Sequence, residues 1–482
     1  MLKLLNLIDN RFAEAEGGQW LDVHEPATGE VYARLTRSGA PEVKAAVAAA
    51  QAAAGAWAAL AADERSRLLM RVADLIEQHL QALAEAESRD CGKPLALARE
   101  VDIPRAVANF RFFAAAATQF ASESHAMAGH AINYTLRQPL GVVACISPWN
   151  LPLYLLSWKI APALAAGNCV IAKPSEVTPR TAVLLAELSV EAGLPAGVLN
   201  IVHGTGAEVG AALVADPGVR AVSFTGSTLT GAAIASATAR QFKKLSLEMG
   251  GKNPTLVFAD CDLASTVAGV LRSAFTNQGQ VCLCGSRILV EDSIYEEFKH
   301  RLLAAVARLK TGDPLAAGID QGAIVSEAHY RKIVGYLELA AEEGGHLLCG
   351  GPVKGSGRCA GGWFIEPVVI EGLPNRCRTN QEEIFGPVAS LLPFSGEAEA
   401  VRLANESSYG LACSIWSNDL GRCHRVAAAI ETGIVWINCW MLRDLRTPFG
   451  GVKSSGLGRE GGIEAMRFFT EPKNVCIEFG HG

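Results

Sequence analysis

The stretch Phe275 to Arg287, FTNQGQVCLCGSR, presents Cys282 where a Gly-rich polar segment (Asn277, Gln278, Gly279, Gln280) gives way to the apolar run Arg287-Ile-Leu-Val290. A thiol has an unperturbed pKa of about 8.5 and reacts as its thiolate, so a nucleophilic cysteine needs partial exposure and nearby dipoles or a base. The small residues on both sides of Cys282 leave that access open. Alone, the pattern also fits a packing thiol, and the motifs around it must decide.

Four other signals sit where short apolar runs end. In Ser147-Pro-Trp-Asn-Leu-Pro152 two prolines fix the loop, which makes the Asn150 amide either a rigid donor to an oxyanion or an ordinary turn residue. In Ala172-Lys-Pro-Ser-Glu176, Lys173 and Glu176 suit the ribose hydroxyls of a dinucleotide; a helix start, with Ser175 as cap and Glu176 in the first turn, explains the same letters without a ligand. In Phe224-Thr-Gly-Ser-Thr-Leu-Thr-Gly231, Gly226 and Ser227 would let backbone N–H groups reach a pyrophosphate at a helix N-terminus, although neither this nor Gly204-Thr-Gly206 completes a G-x-G-x-x-G fingerprint. In Leu247-Glu-Met-Gly-Gly-Lys-Asn-Pro254, Glu248 stands among Leu245, Leu247 and Met249. Desolvation there raises a carboxyl pKa toward that of a general base, unless Glu248 is a surface residue before a turn.

The elements that must position these groups follow from periodicity. Residues 6 to 36 read as short strands with turns at Glu16-Gly-Gly18 and Ala27-Thr-Gly29. An Ala-rich helix from Pro41 to Ala62 is followed by one from Asp63 to Cys91, ended by Gly92-Lys-Pro94, and by a third from about Leu97 to Phe120. Residues 121 to 139 read as an extended strand pair packed on a partner subunit. From residue 140, apolar strands at 142–147, 169–172, 198–202 and 221–224 alternate with helices, which implies parallel βαβ units in a doubly wound sheet that binds ligands beyond its carboxyl edge. After Gly250-Gly-Lys252 a second alternation runs to about Arg443, with strands at 255–258, 286–290 and 388–393 and helices at 262–276, 292–309, 327–343, 396–404 and 419–431. Two α/β lobes with a cleft between them fit an enzyme with two ligands.

Composition narrows the class. A chain of 482 residues, half of them hydrophobic, has room for two or three domains. Thirteen scattered cysteines without a C-x-x-C pair argue against a disulfide framework and for a reducing compartment, with the cytoplasm as default. A net charge of -6 with no basic run gives no footprint for nucleic acid. The apolar region Leu140 to Ala172 is cut by prolines, Asn150, Lys159 and Asn168 into pieces too short for ~30 Å of hydrocarbon, and MLKLLNLIDN lacks the cleavage site of a secretory signal, so no membrane partner is expected.

Together and in this order, SPWNLP, AKPSE, FTGS, LEMGGKNP, GQVCLCGSR, EEIFGPV at Glu382 to Val388 and PFGGVKSSGLGREGG at Pro448 to Gly462 resemble the NAD(P)-dependent aldehyde dehydrogenase superfamily over essentially the whole chain. The resemblance implies an α/β fold of that type: two doubly wound α/β domains plus a small β oligomerisation element. It implies an NAD-binding domain from residues 1–120 and 140–250, a catalytic domain from 251–445, and an oligomerisation element from 121–139 and 465–482. Cys282 matches the family's nucleophile, Glu248 its general base and Asn150 its oxyanion donor. Lys173 and Glu176, with Ser175, match the adenosine-ribose contacts; Ile146, Pro148, Trp149, Gly206, Phe224, Gly226 and Ser227 fall in cofactor segments; Glu383 and Phe385 match the nicotinamide-ribose pocket. No metal is implied. Met249 replaces the Leu usual after the catalytic Glu, and Cys284 stands where another small residue is common, raising an oxidised Cys282–Cys284 state against plain packing.

A closer resemblance lies in Asn438-Cys-Trp-Met-Leu-Arg-Asp-Leu-Arg446, the run from Asn150 to Lys159 and the C-x-C of the Cys282 loop, which look like the 2-hydroxymuconic and 2-aminomuconic semialdehyde dehydrogenases. Arg105 and Arg443 match two arginines that hold a substrate carboxylate there, with Leu151 and Trp158 beside them. The expectation is a homodimer or homotetramer that uses NAD, since Glu176 repels a 2′-phosphate, to oxidise an acidic semialdehyde through a cysteine thioester. Another small aldehyde, or a non-catalytic scaffold of the same fold, is the alternative; a CoA-acylating enzyme generally lacks a Glu at the position of Glu248.

Overall fold

The computed structural model describes residues 1–480. Short apolar runs bounded by turns become the strands Val142–Ile146, Cys169–Lys173, Leu199–Ile201, Ala221–Thr225 and Lys244–Glu248, all parallel. Val142–Ile146 and Cys169–Lys173 are buried at every position, as strands covered by helices on both faces must be. The order runs Lys244–Glu248, Ala221–Thr225, Val142–Ile146, Cys169–Lys173, Leu199–Ile201, so the chain steps in opposite directions on the two sides of Val142–Ile146. A crevice opens at such a switch, beyond the carboxyl ends. The hairpin Asn6–Ile8/Arg11–Ala13 extends one edge antiparallel, and Gly456–Leu457 closes the other antiparallel to Lys244–Glu248, for eight strands in all.

A second sheet of seven strands is built wholly from residues 254–437. Six are parallel: Phe364–Glu371, Val388–Phe394, Arg287–Glu291, Pro254–Val257, Ala412–Trp416 and Ile434–Ile437; His346–Val353 adds an antiparallel edge. Ser124–Met127 and Ala131–Pro139 form a hairpin, and Thr470–Glu478 pairs with Ala131–Pro139 along nine residues in a third, largely exposed sheet. Leu2–Leu4, Glu30–Thr36 and Trp20–Glu25 make a smaller sheet of their own. Residues 481–482 of the expected oligomerisation element lie outside the described residues.

The helical reading needs two corrections. The run from 63 to 91 is two helices, Ala62–Gln78 and Leu80–Cys91, broken at His79 (φ -97, ψ 18). The first packs on Ile103–Gln119, the second on Arg180–Glu191 and the turn Ala98–Asp102, and these different partners bend a continuous apolar stripe that no Gly or Pro interrupts. The third helix begins with that π-helical turn, Ala98–Asp102, before Ile103–Gln119, because Asp102 turns inward to a buried partner, Lys93. A second π-helical turn, Gly206–Gly210, precedes Ala211–Ala215. Among the described residues no single helix is long and apolar enough to cross a membrane.

Candidate active site

Helix Leu263–Phe275 runs into a tight turn, Thr276–Gly279, in which Asn277 (φ 54), Gln278 (φ 53) and Gly279 (φ 67) are all left-handed. Such conformations are costly for residues with a Cβ and persist only where the surroundings hold them. Here buried amides do so. Gln278 Nε2 donates to the carbonyls of Gly92 (3.1 Å) and Ala323 (2.8 Å), Asn277 Nδ2 to those of Asn150 (3.1 Å) and Gln280 (3.3 Å), and Gln280 Oε1 accepts the Val325 N–H at 3.1 Å. Cys282 follows, half-buried, its carbonyl accepting from Asn253 Nδ2 at 2.7 Å. Burial first, then Glu383 and Glu248, push its thiol pKa up, while Arg443 pulls the other way. The resting thiol is therefore protonated at neutral pH.

Asn150 lies in the loop beyond Val142–Ile146. Its Nδ2 donates to the carbonyl of Gln280 at 2.9 Å, and its own carbonyl accepts from Lys93 Nζ at 3.0 Å. Lys93 is fully buried between Asp102 and Glu87, whose carboxyl oxygen lies 3.6 Å away. Desolvation pushes the Glu87 carboxyl up to about 7 against the opposing pull of Lys93. The Trp149 carbonyl accepts from Cys91 Sγ (3.4 Å) and Thr178 Oγ1 (3.2 Å). The loop is thus clamped by the segment Glu87 to Asp102.

Glu248 ends the strand Lys244–Glu248, is buried, and neither carboxylate oxygen has a hydrogen-bond partner among the described residues. Desolvation and the neighbouring Glu460 hold its pKa well above the ordinary value, opposed by Lys159, Arg459 and Arg443. Glu460 Oε1 itself accepts from Lys159 Nζ (2.6 Å) and Ser223 Oγ (3.1 Å). A Cβ on Gly450 would lie 2.6 Å from Glu248 Oε1, so glycine keeps the space at that oxygen.

A cavity of about 230 Å³ opens at the carboxyl edge of the first sheet. Pro148, Trp149, Asn150, Gly226, Ser227, Cys282, Glu383 and Phe385 line it, as do Leu155, Met249, His329 and Lys332, which the sequence reading did not name as site residues. A smaller cavity, also lined by Cys282, brings together Leu151, Glu248 and Arg443 with Tyr154, Phe449 and Glu460. The thiol stands where the two meet. Glu383 Oε1 accepts the Gly251 N–H at 2.9 Å; Phe385, left-handed at φ 63, places its carbonyl 2.7 Å from His329 Nε2, and Trp149 meets Phe385 edge to face at 5.2 Å between centroids.

The remaining predicted cofactor residues follow the same edge outside the larger cavity. Ile146, Lys173 and Phe224 lie at strand ends, Ser175 and Glu176 just beyond, and Gly206 after Leu199–Ile201. Lys173 Nζ donates to Glu176 Oε2 at 2.8 Å. Ser175 is no helix cap: its Oγ accepts from Val177 N, and the helix starts only at Arg180. Ser227 does cap, accepting from Thr230 N at 3.2 Å at the head of Thr228–Thr238. A Cβ on Gly226 or Gly250 would collide with the Phe224 ring or the Glu383 carboxylate, whereas Gly206 faces open space. A helix N-terminus, a glycine-lined floor and a Lys–Glu pair on one edge fit a dinucleotide.

Arg105 and Arg443 flank Trp158, their guanidinium carbons 5.6 and 5.3 Å from its ring centre. Neither Arg105 nor Trp158 lines the two cavities; both stand behind Tyr154 and Arg443. Neither arginine has a carboxylate partner among the described residues, because Asp444, the nearest in sequence, is taken by Arg446 at 2.6 Å. Arg105 Nε and Nη2 are buried without an acceptor.

Comparison with known proteins places this geometry. The model of the aldehyde dehydrogenase family matches residues 12–475. The chain is 49% identical over 483 residues to the 2-aminomuconic semialdehyde dehydrogenase of Bos taurus, covering 99% of both chains. It is 46% identical to the 2-hydroxymuconic semialdehyde dehydrogenase of Pseudomonas sp. (strain CF600), covering 99% of this chain and 100% of the relative. An NAD+ complex of the aldehyde dehydrogenase of Bacillus cereus superposes with a TM-score of 0.96 at 37% identity, covering 99% of this chain and 97% of that one. With a half-buried cysteine between two cavities, an amide tied to its loop and an unpaired carboxyl beside it, the chain belongs to the aldehyde dehydrogenase family.

Proposed function

We propose that this enzyme oxidises an acidic unsaturated semialdehyde, 2-hydroxymuconic or 2-aminomuconic semialdehyde, to the corresponding dicarboxylic acid with NAD. One observation carries the substrate class: the Arg443 guanidinium lines the cavity that holds Cys282 and Glu248, Arg105 stands behind it, and neither has a carboxylate partner among the described residues. An arginine placed so is completed by a ligand carboxylate, and each charge-assisted hydrogen bond contributes about 1.5–3 kcal/mol. The relatives named for such semialdehydes support the same reading.

In this mechanism the Cys282 thiol gives its proton to solvent water, and its sulfur adds to the aldehyde carbon as the C=O π pair moves onto oxygen. The oxyanion that forms accepts from the second amide hydrogen of Asn150 and from the Cys282 backbone N–H. Ile146, Pro148, Trp149, Lys173, Ser175, Glu176, Gly206, Phe224, Gly226, Ser227, Glu383 and Phe385 would hold NAD, which would supply the acceptor for the hydride lost from the former aldehyde carbon, and Cys282 then carries the thioester. Glu248 then takes a proton from water as the water oxygen bonds to the thioester carbon; the C–S bond breaks, the acid leaves, and Glu248 passes its proton to the thiolate. Glu176, held by Lys173, disfavours a 2′-phosphate and favours NAD over NADP.

Residues 1–120 with 140–250 serve as the NAD-binding domain and 251–445 as the catalytic domain in this reading. The exposed sheet of Ala131–Pro139 and Thr470–Glu478 joins subunits in a homodimer or homotetramer, and the enzyme works in the cytoplasm, where its thiols stay reduced. The test is NADH formation from 2-hydroxymuconic semialdehyde and from an uncharged aldehyde of similar length. Preference for the acid, lost in Arg443→Ala, supports the assignment. Equal use of both aldehydes, unchanged by the substitution, leaves an aldehyde dehydrogenase with a different substrate.

A further inference from the structure

Tyr154 stands one turn along helix Pro152–Ala165 from Asn150 and is 3% exposed, yet its ring borders the small cavity with Cys282, Glu248 and Arg443. Two features fix it. Its carbonyl accepts from Asn109 Nδ2 (3.1 Å) and Ser157 Oγ (2.9 Å), and its ring packs with Leu151 and Leu155 under the Arg105 guanidinium, whose carbon lies 5.5 Å from the ring centre. The phenol oxygen accepts a hydrogen bond from Arg443 Nη1 at 2.9 Å. A phenol both accepts and donates. The Tyr154 proton has no acceptor among the described residues, in a place where a buried donor without one is costly.

We propose that Tyr154 is a specificity-determining residue: its O–H is a second donor, beside Arg443, to the anionic end of the substrate. Tyr154 touches both arginines at once, Arg443 through the hydroxyl and Arg105 through the ring face, so it sets the spacing of the two cations and adds a proton donor beside Arg443. The Arg443 bond orients the phenol oxygen so that its hydrogen points away from that guanidinium. A carboxylate has about four acceptor positions on two oxygens, enough for the Arg443 fork and one hydroxyl. An uncharged aldehyde offers nothing at that end.

The inference rests on the acidic-semialdehyde reading above, and one set of measurements separates the two. Tyr154→Phe keeps the ring, its packing and its stacking with Arg105 and removes only the hydroxyl. With 2-hydroxymuconic semialdehyde, KM is expected to rise about tenfold with kcat within about twofold, the pattern of lost uniform binding. With trans-2-hexenal both constants stay within about twofold, and the thermal midpoint is unchanged. A variant that loses kcat equally on both aldehydes, or that keeps the KM of the acid, overturns the role of Tyr154 while the substrate class stands. A wild type with no preference for the acid removes the carboxylate reading, and the role of Tyr154 with it. Tyr154→Trp, which refills the ring volume with a differently placed donor, should not restore the affinity of the wild type; if it does, the hydroxyl is not the determinant.

Discussion

The side-chain amide of Asn150 donates to the Gln280 carbonyl across 2.9 Å, and Gln280 lies two residues before Cys282. The proposed oxyanion donor and the proposed nucleophile are therefore parts of one hydrogen-bonded unit. The bond uses one amide hydrogen and fixes the direction of the other. Asn150→Ala removes a preorganised donor and is expected to lower kcat by about 10²–10³. The rate of hydride transfer in a single turnover should fall with it; if only KM changes, the amide binds substrate without assisting the chemistry.

Glu248 is assigned to the second half of the reaction. Glu248→Gln should leave the first turnover nearly intact and slow the steady state by about 10²–10⁴. A rapid-mixing experiment then shows a burst of about one NADH per Cys282 followed by slow turnover. A variant without a burst would place Glu248 in the first half instead.

Arg443 opposes both the burial of Glu248 and that of Cys282. In the proposed mechanism the working form of Glu248 is the carboxylate, so kcat is expected to fall as pH drops through its pKa. Around it stand Glu460, which raises that pKa, and Lys159, Arg459 and Arg443, which lower it. Removing the Arg443 charge lets the pKa climb, and the acid limb of kcat in Arg443→Gln should move to higher pH even with an uncharged aldehyde. A limb that stays in place confines Arg443 to substrate binding.

His203 offers a test on stability. It is buried, both ring nitrogens lack partners among the described residues, and burial, helped by Lys173, holds its pKa down at about 3. The ring is thus neutral in the fold, whereas in the unfolded chain it titrates near its ordinary value of about 6.5. The stability it contributes is complete above that value and is lost as pH falls toward 3, at up to about 1.4 kcal/mol per pH unit. His203→Phe removes this dependence, so the drop in thermal midpoint between pH 7 and pH 5 should be smaller in the variant.

The sequence makes legible whatever is local. Alternating apolar strands and helices announce the βαβ units of both sheets, although Lys244–Glu248, Phe364–Glu371, Ala412–Trp416 and Ile434–Ile437 are not among the strands read from the sequence, and Gly226, Ser227 and Cys282 are marked by the turn chemistry of their neighbours. Lys93 is different: within Gly92-Lys-Pro94 it reads as a helix terminator, and its role beneath the Asn150 carbonyl appears only when residues 57 positions apart meet. Lys159 and Glu460 are separated by 301 positions, and no periodicity announces such a pair. Tyr154 reads as one more apolar residue of a buried helix, since its hydroxyl matters only once Arg443 arrives from the far end of the chain. His346–Val353 escapes for another reason: a strand at a sheet edge with exposed and half-exposed residues on both faces has no clean alternation to detect.

The pairing of Gly456–Leu457 with Lys244–Glu248 bears on the order in which this enzyme comes into being. Glu248 faces Gly456 in the register, and the neighbouring Met249 N–H donates to the Ser455 carbonyl at 2.9 Å. On a ribosome adding about 5–20 residues each second, the strand bearing Glu248 emerges on the order of ten to forty seconds before the segment that completes its edge. The first sheet can assemble early from its own βαβ units, but its last hydrogen bonds, and with them the seat of the carboxyl group, wait for nearly the entire polypeptide. On the proposed assignments, a nascent chain therefore acquires its nucleotide crevice well before its hydrolytic step.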